Sequence, residues 1–178
     1  DFKRAGNPWL GVKLADISDL DGALVVGSFL RKDHPLIAQR LRQAGKKYTK
    51  VSQLSVTSED QLIQLHANLS VAPSELANAL AAVVKAAAEL SGAVIPAGLE
   101  AVSVCDGSKK IAQSLLDGEK RAVFLGNVAT QSAQATQLHA LALELGKLTK
   151  ATVGFLGEGA NVVGGHNENR IGNASRSF

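Results

Sequence analysis

Ala23-Leu24-Val25-Val26-Gly27, running on through Ser28-Phe29-Leu30-Arg31-Lys32-Asp33-His34-Pro35, is the stretch that decides the fold. Its first half is a continuous apolar run, expected of a strand covered on both faces, since a half-exposed strand alternates with polar residues. Leu36, Ile37, Arg40, Leu41 and Ala44 then recur at helical spacing, with Asp33 as a candidate cap, Pro35 suited to the first turn and Gly45 as a stop. Lys50 to Leu54 resumes as strand, so Ala23 to Leu54 reads as strand, crossover helix and strand. Arg121 to Leu156 repeats the construction: Ala122-Val123-Phe124-Leu125, a turn at Gly126-Asn127, a helix striped with Leu138, Leu141, Ala142, Leu145 and Leu148, then a strand from Thr152 to Leu156. Two βαβ units predict an α/β fold, an open and mainly parallel sheet flanked by helices.

Between the units, Ser58 to Ala72 lacks a clean period and reads as loop, with one short strand expected around Leu65. Ser74 is a fair N-cap for a helix carrying Leu76, Leu80, Val83, Val84, Ala87 and Leu90 up to Gly92. Ala93 to Ser103 reads as a connection, and a short helix is expected from about Ser108 to Leu116, ended by Gly118. The expected organisation is one α/β domain over 1–165, with 1–20 as lead-in, and a polar tail over 166–178. The lack of Met and the start at Asp1 suggest a piece of a longer chain.

The 178 residues suffice for one core, burying roughly 70% of the surface of the unfolded chain. Hydrophobic residues make up 46%, yet no apolar run approaches the roughly 18 residues of a spanning helix, and no leader is visible. Neither membrane insertion nor export is therefore expected. Cys105 stands alone, which excludes an internal disulfide and a four-cysteine cluster within the chain. With 19 Lys and Arg against 16 Asp and Glu and 4% aromatic residues, nucleic acid is not an expected partner.

The loop after the first strand lies where open sheets bind ligands, and Gly27, Ser28, Arg31 and His34 are the cofactor-binding candidates it offers. Arg31, Lys32, His34 and free amides at the helix start could hold a phosphate, although Gly27 is also explained by a tight turn alone. Gly157 to His166 spaces Gly159 and Gly164 as a phosphate loop does, but Gly165 and His166 replace the lysine and hydroxyl such a loop needs. His34, His66, His139 and His166 form no metal-binding pair, and Cys105, with no histidine nearby in sequence, reads as an ordinary buried thiol. No catalytic residues and no metal ligands are assigned.

Leu24 through Ala44 resembles the strand-loop-helix of the molybdopterin oxidoreductase superfamily. Within it, the likeness is to the large iron–sulfur subunit of bacterial respiratory NADH:quinone oxidoreductase, complex I. Val123-Phe124-Leu125-Gly126-Asn127 and Ala151-Thr152-Val153-Gly154-Phe155-Leu156, with Glu158 and Gly159-Ala160-Asn161, follow in the same order as that subunit's later segment, so the resemblance covers about Asp16 to Gly165. Active members hold the dinucleotide tail of a molybdopterin cofactor on the first loop. Here His34-Pro35 remains, but Phe29 and Leu30 replace the amide and proline, and Leu54-Ser55-Val56 replaces an Asp-Pro-Arg turn. The resemblance thus implies a cofactor-free structural and assembly portion of the subunit, supporting electron transfer from NADH to quinone. It would sit among partner subunits, peripheral on the cytoplasmic side of the bacterial inner membrane, with iron–sulfur clusters only elsewhere in the parent. An excised sheet would also expose an edge prone to self-association. The alternative is a molybdopterin-dinucleotide-binding fragment of a molybdenum or tungsten oxidoreductase, in which Gly27, Ser28, Arg31 and His34 meet the phosphates. A stand-alone nucleotide-binding domain would need a phosphate loop that the chain lacks.

Overall fold

A computed structural model describes residues 9–57 and 60–157. Five strands form one sheet: β1 (Gly22–Val26), β2 (Lys50–Ser55), β3 (Ala67–Ser70), β4 (Arg121–Leu125) and β5 (Thr152–Phe155). Their order is β3-β2-β1-β4-β5 and every pairing is parallel. The helices are α1 (Leu30–Asp33), α2 (Pro35–Gly45), α3 (Leu76–Ser91), α4 (Asp106–Leu116), α5 (Asn127–Gln131) and α6 (Ala135–Thr149). The open α/β sheet expected from the two βαβ units is the observed architecture.

Side chains alternate along each central strand, and this divides the core in two. Leu24, Val26, Leu54, Val123 and Leu125 face α3, α4 and α6. Ala23, Val25, Val51, Ala122 and Phe124 face the other way, onto Leu30, Ala38 and Leu41 of α1 and α2. β1 and β4 are buried on both faces, which is why they read as unbroken apolar runs. α3 is rich in alanine, the best helix former, and its small side chains let it pack against both α4 and α6. It ends at Gly92, whose φ of +68° supplies the left-handed cap.

Several local expectations shift by a few residues. The strand expected around Leu65 is β3 at Ala67–Ser70, a four-residue edge in which Asn68 and Ser70 are exposed. Asp33 does not cap α2; it closes the one-turn α1, and His34 takes the cap position. Pro73–Glu75 forms a 3-10 turn, so α3 is capped at Glu75 and not at Ser74. Within the second unit, α5 and α6 are separate helices.

Residues 9–20, expected as lead-in, contribute to the fold. A 3-10 turn at Asp16–Asp19 packs on α2 and buries Ile17 and Leu20 in the second core. The amide of Phe155 donates to the carbonyl of Trp9 at 2.9 Å, so Trp9–Gly11 lies along the outer edge of β5. Residues 1–8 and the tail over 166–178 lie outside the described residues, as do most of the phosphate-loop-like stretch and His166.

Asp21 ties the α4–β4 turn to the start of β1. Its Oδ2 accepts from the amides of Glu119 at 2.8 Å and Lys120 at 2.9 Å, and these bonds hold its carboxyl below the usual carboxylate range. A folded-state value below the unfolded one gives stability that is full above the unfolded pKa of about 3.9 and is lost as pH falls through the folded value. Asp21→Ala is therefore expected to cost about 1 kcal/mol at neutral pH, a charge-assisted bond discounted for exposure. Urea unfolding of both proteins should show that gap closing below about pH 4.

Candidate functional site

The direction of winding sets where a ligand would lie. β1 reaches β2 through α2 on one face, whereas β4 reaches β5 through α6 on the other, so the strand order reverses between β1 and β4. Ligands in open α/β sheets bind at this switch, outside the carboxyl ends of the strands. Gly27-Ser28 follows β1 there and Gly126-Asn127 follows β4.

The two strand ends are joined to each other. Gly27, at φ +60°, turns its carbonyl onto the amide of Val128 at 3.0 Å, occupying a donor at the start of α5. The amide of Gly126 donates to the carbonyl of Val26 at 2.8 Å. A Cβ on Gly126 would overlap that of Ser28 and lie 2.6 Å from the Gly27 oxygen. On the opposite side of the same turn, a Cβ on Gly27 would lie 2.8 Å from the Ala129 nitrogen. Glycine at both positions is what allows the strand ends to meet.

Three amides of α1 are also engaged. That of Arg31 donates to Gln61 Oε1 at 3.3 Å, while those of Lys32 and Asp33 both reach the Phe29 carbonyl at 2.9 Å. Arg31 Nη1 donates to the Asp60 carbonyl at 3.3 Å, which points its guanidinium at the β2–β3 loop. The Lys32 ammonium sits 5.9 Å from the centroid of the Phe29 ring. His34 is buried, and its backbone links α1 to α2. Of the four sequence candidates, only Gly27 and Ser28 stand at the switch point itself.

Sequence reading missed the residues that complete this joint. Gln53, buried on β2, donates from Nε2 to the Ser28 carbonyl at 3.2 Å, and Gln61 receives Arg31 from the following loop. The available signal was the matched glycine-polar pair, Gly27-Ser28 and Gly126-Asn127, at the ends of two apolar strands. Leu30, the first residue of α1, is wholly buried in the core.

Cys105 corrects another expectation: it is exposed, not buried. It caps α4, its sulfur accepting from the Ser108 amide at 3.4 Å and lying 3.1 Å from the Ser108 hydroxyl. The Ser108 hydroxyl, then its amide, hold the thiol below its ordinary pKa. His139 packs edge-on against Phe155, ring centroids 5.0 Å apart. Among the described residues no group of three His, Cys, Asp or Glu could hold a metal ion, and no helix is long and apolar enough to cross a membrane.

These features define an open, doubly wound α/β domain whose switch point is closed by its own backbone. No protein-family profile matches the chain, and no curated protein does. Among solved structures it is similar to a chain in the X-ray structure of the formyltransferase/hydrolase complex FhcABCD from Methylorubrum extorquens, in complex with methylofuran. The TM-score is 0.51 and the identity 16%, over 83% of this chain and 39% of that one. The chain thus spans about two fifths of its neighbour's length, and a likeness at this identity establishes the architecture alone.

That comparison corrects the assignment to the large iron–sulfur subunit of complex I. The matched complex is a formyltransferase/hydrolase and not an NADH:quinone oxidoreductase, so the respiratory-chain role inferred from the resemblance is withdrawn. The physical reason lies in the residues that carried it. A doubly buried strand, a glycine turn and an amphipathic helix are what any parallel α/β unit requires at Leu24–Ala44, so that likeness reports the fold.

Proposed function

We propose that this chain is a structural α/β domain that packs among partner subunits of a larger assembly, with no cofactor and no chemistry in this segment. The supporting observation is the closed switch point. The Gly27 carbonyl, the Val128 amide and the amides of Arg31, Lys32 and Asp33 are bonded within the protein, and Ser28 fills the gap against Gly126. A ligand entering between β1 and β4 would have to break these bonds and leave their groups unpaired, at roughly 1–3 kcal/mol each. That the similar solved chain is part of a multi-subunit complex agrees with a life among partners. A peripheral place on the cytoplasmic side of the bacterial inner membrane rested on the withdrawn assignment alone, and the proposal does not include it.

One observation favours the second reading, a molybdopterin-dinucleotide-binding fragment. Ser28 Oγ and Asn127 Oδ1, on the two strand ends, are buried without a hydrogen-bond partner among the described residues. Buried polar atoms of this kind call for an explanation, and a ligand is one.

Thermal unfolding with GDP, GTP, NADH and a molybdopterin dinucleotide separates the two. A ligand at about a hundredfold over its Kd stabilises by roughly 2.7 kcal/mol, and at about 2–4 °C per kcal/mol the midpoint would rise by about 5–11 °C. The structural domain is expected to show no such rise with any of the four. A rise confined to the guanine nucleotides or the pterin dinucleotide would replace it with the second reading.

A further inference from the structure

Charge on this chain is unevenly placed. Residues 31–50 carry seven Lys and Arg against the single acid Asp33, a net of +6, whereas the chain as a whole carries +3. The other residues together are therefore net acidic. α2 lies at the centre of this basic stretch and contains no acidic residue.

Lys50 is paired with Asp117 and Arg31 turns to the Asp60 carbonyl, while helix geometry leaves Arg40 on the outer face of α2. Ala38, Leu41 and Ala44 turn into the core, so Leu36, Arg40 and Gln43, at i, i+4 and i+7, line the outer face, with Lys46 beside them and Arg42 on the flank. Lys47 and Tyr48 extend the surface past the helix end. Among the described residues Arg40, Arg42, Lys46 and Lys47 make no ion pair, and Asp16 and Asp19, on the turn packed against α2, form none with them. Arg42 and Lys46 are partly explained by the negative end of the helix dipole. Arg40, in the middle of the helix, is not.

The surface also has apolar ends. Leu36 is 66% exposed in the first turn of α2, and Tyr48 59% in the turn that follows its end. A purely solvated face does not need a large apolar side chain at each end of its charges. Nucleic acid is the less favoured partner, because Tyr48 is the sole aromatic of α2 and the turn after it, and sequence-tolerant strand binding relies on several stacking rings. Arginine with exposed Leu and Tyr suits a protein interface.

We propose that the outer face of α2 is the docking surface of this domain for an acidic protein partner, one presenting Asp and Glu over about three helical turns with an apolar side chain near each end to meet Leu36 and Tyr48. This rests on the structural-domain reading and names the chemistry of its partner. Opposed fields of this kind speed encounter and fix orientation, so the association should weaken steeply with salt.

The test is fluorescence anisotropy of a labelled acidic helical peptide with a leucine near each end. Competitors are a single-stranded RNA of equal charge and phosphatidylserine vesicles, at about 50 and about 300 mM salt. The peptide is expected to bind more tightly than either competitor. Arg40→Glu with Lys47→Glu should weaken it at least tenfold at low salt, Arg40→Gln with Lys47→Gln by less, and Leu36→Ser severalfold at both salts. Unfolding midpoints confirm that these exposed substitutions leave the fold intact. No peptide binding, binding indifferent to Arg40 and Lys47, or tighter binding of RNA or vesicles would each overturn the proposal. Failure of the structural-domain reading shows elsewhere, as a nucleotide or pterin thermal shift that does not depend on these charges.

Discussion

Gly126→Ala is expected to be among the most damaging single-methyl additions in the chain, lowering stability by about 4 kcal/mol through a buried backbone clash. The new Cβ would overlap that of Ser28 and press on the Gly27 oxygen at 2.6 Å and the Ser28 Cα at 2.8 Å. Two of these three neighbours are backbone, so no rotamer change relieves the overlap. The strand ends must part, which strains the bonds from Gly126 to Val26 and from Val128 to Gly27 and leaves buried groups unpaired. Differential scanning calorimetry should place the midpoint about 8–16 °C lower at this chain length. Ser28→Gly removes the worst overlap, so the double variant should recover part of the loss. Equal stability of Gly126→Ala and the parent would mean that the joint is loose and the switch point open.

Gly154→Val tests the opposite margin of the sheet and is expected to cost a similar amount. Glycine is a poor strand residue, and its place in the middle of β5 is explained by what lies beside it. A Cβ there would coincide with the carbonyl of Leu10 and stand 3.0 Å from the Gly11 nitrogen. The Trp9–Gly11 segment must lift away, breaking the bond between the Phe155 amide and the Trp9 carbonyl and uncovering the edge of β5. Limited proteolysis should then cut before Ile17 at protease levels the parent withstands, and sedimentation should show concentration-dependent association through the bare edge. A variant that resists cleavage and stays at the parent's mass would show that the segment does not guard this edge.

How far such features can be read from the chain follows from the range of the interactions involved. β1, β4 and α3 are legible because burial on both faces, or along one stripe, leaves an apolar period in neighbouring residues. β3 is legible only as a short strand with misplaced bounds, since Ala67-Asn68-Leu69-Ser70 is an edge whose exposed polar positions resemble a loop. The break between α5 and α6 at Ser132 carries neither Gly nor Pro to announce it. Cys105 is misread because a capping role depends on Ser108 folding back to it, not on the thiol's own preference for burial. The place of the candidate site is legible from Gly27 following an apolar strand. Its closure is not, because Val128, whose amide donates to the Gly27 carbonyl, belongs to the other βαβ unit. The family resemblance misled for a related reason, since Leu24–Ala44 satisfies the local demands of a fold that many unrelated activities share.

The close approach of Leu10 to Gly154 has a consequence for the order in which the molecule is completed. Trp9–Gly11 is synthesised well before the strand it lies against, which follows roughly 140 residues later, a wait of about 7–30 s at ordinary rates of synthesis. Through that interval β1, β2 and β4 can pair while the early segment lacks the strand that Trp9 bonds to. Closing this margin of the sheet is therefore a later step than pairing the strands before it, and a chain cut short before β5 would carry an unguarded β4, a substrate for chaperones rather than a smaller version of the finished domain.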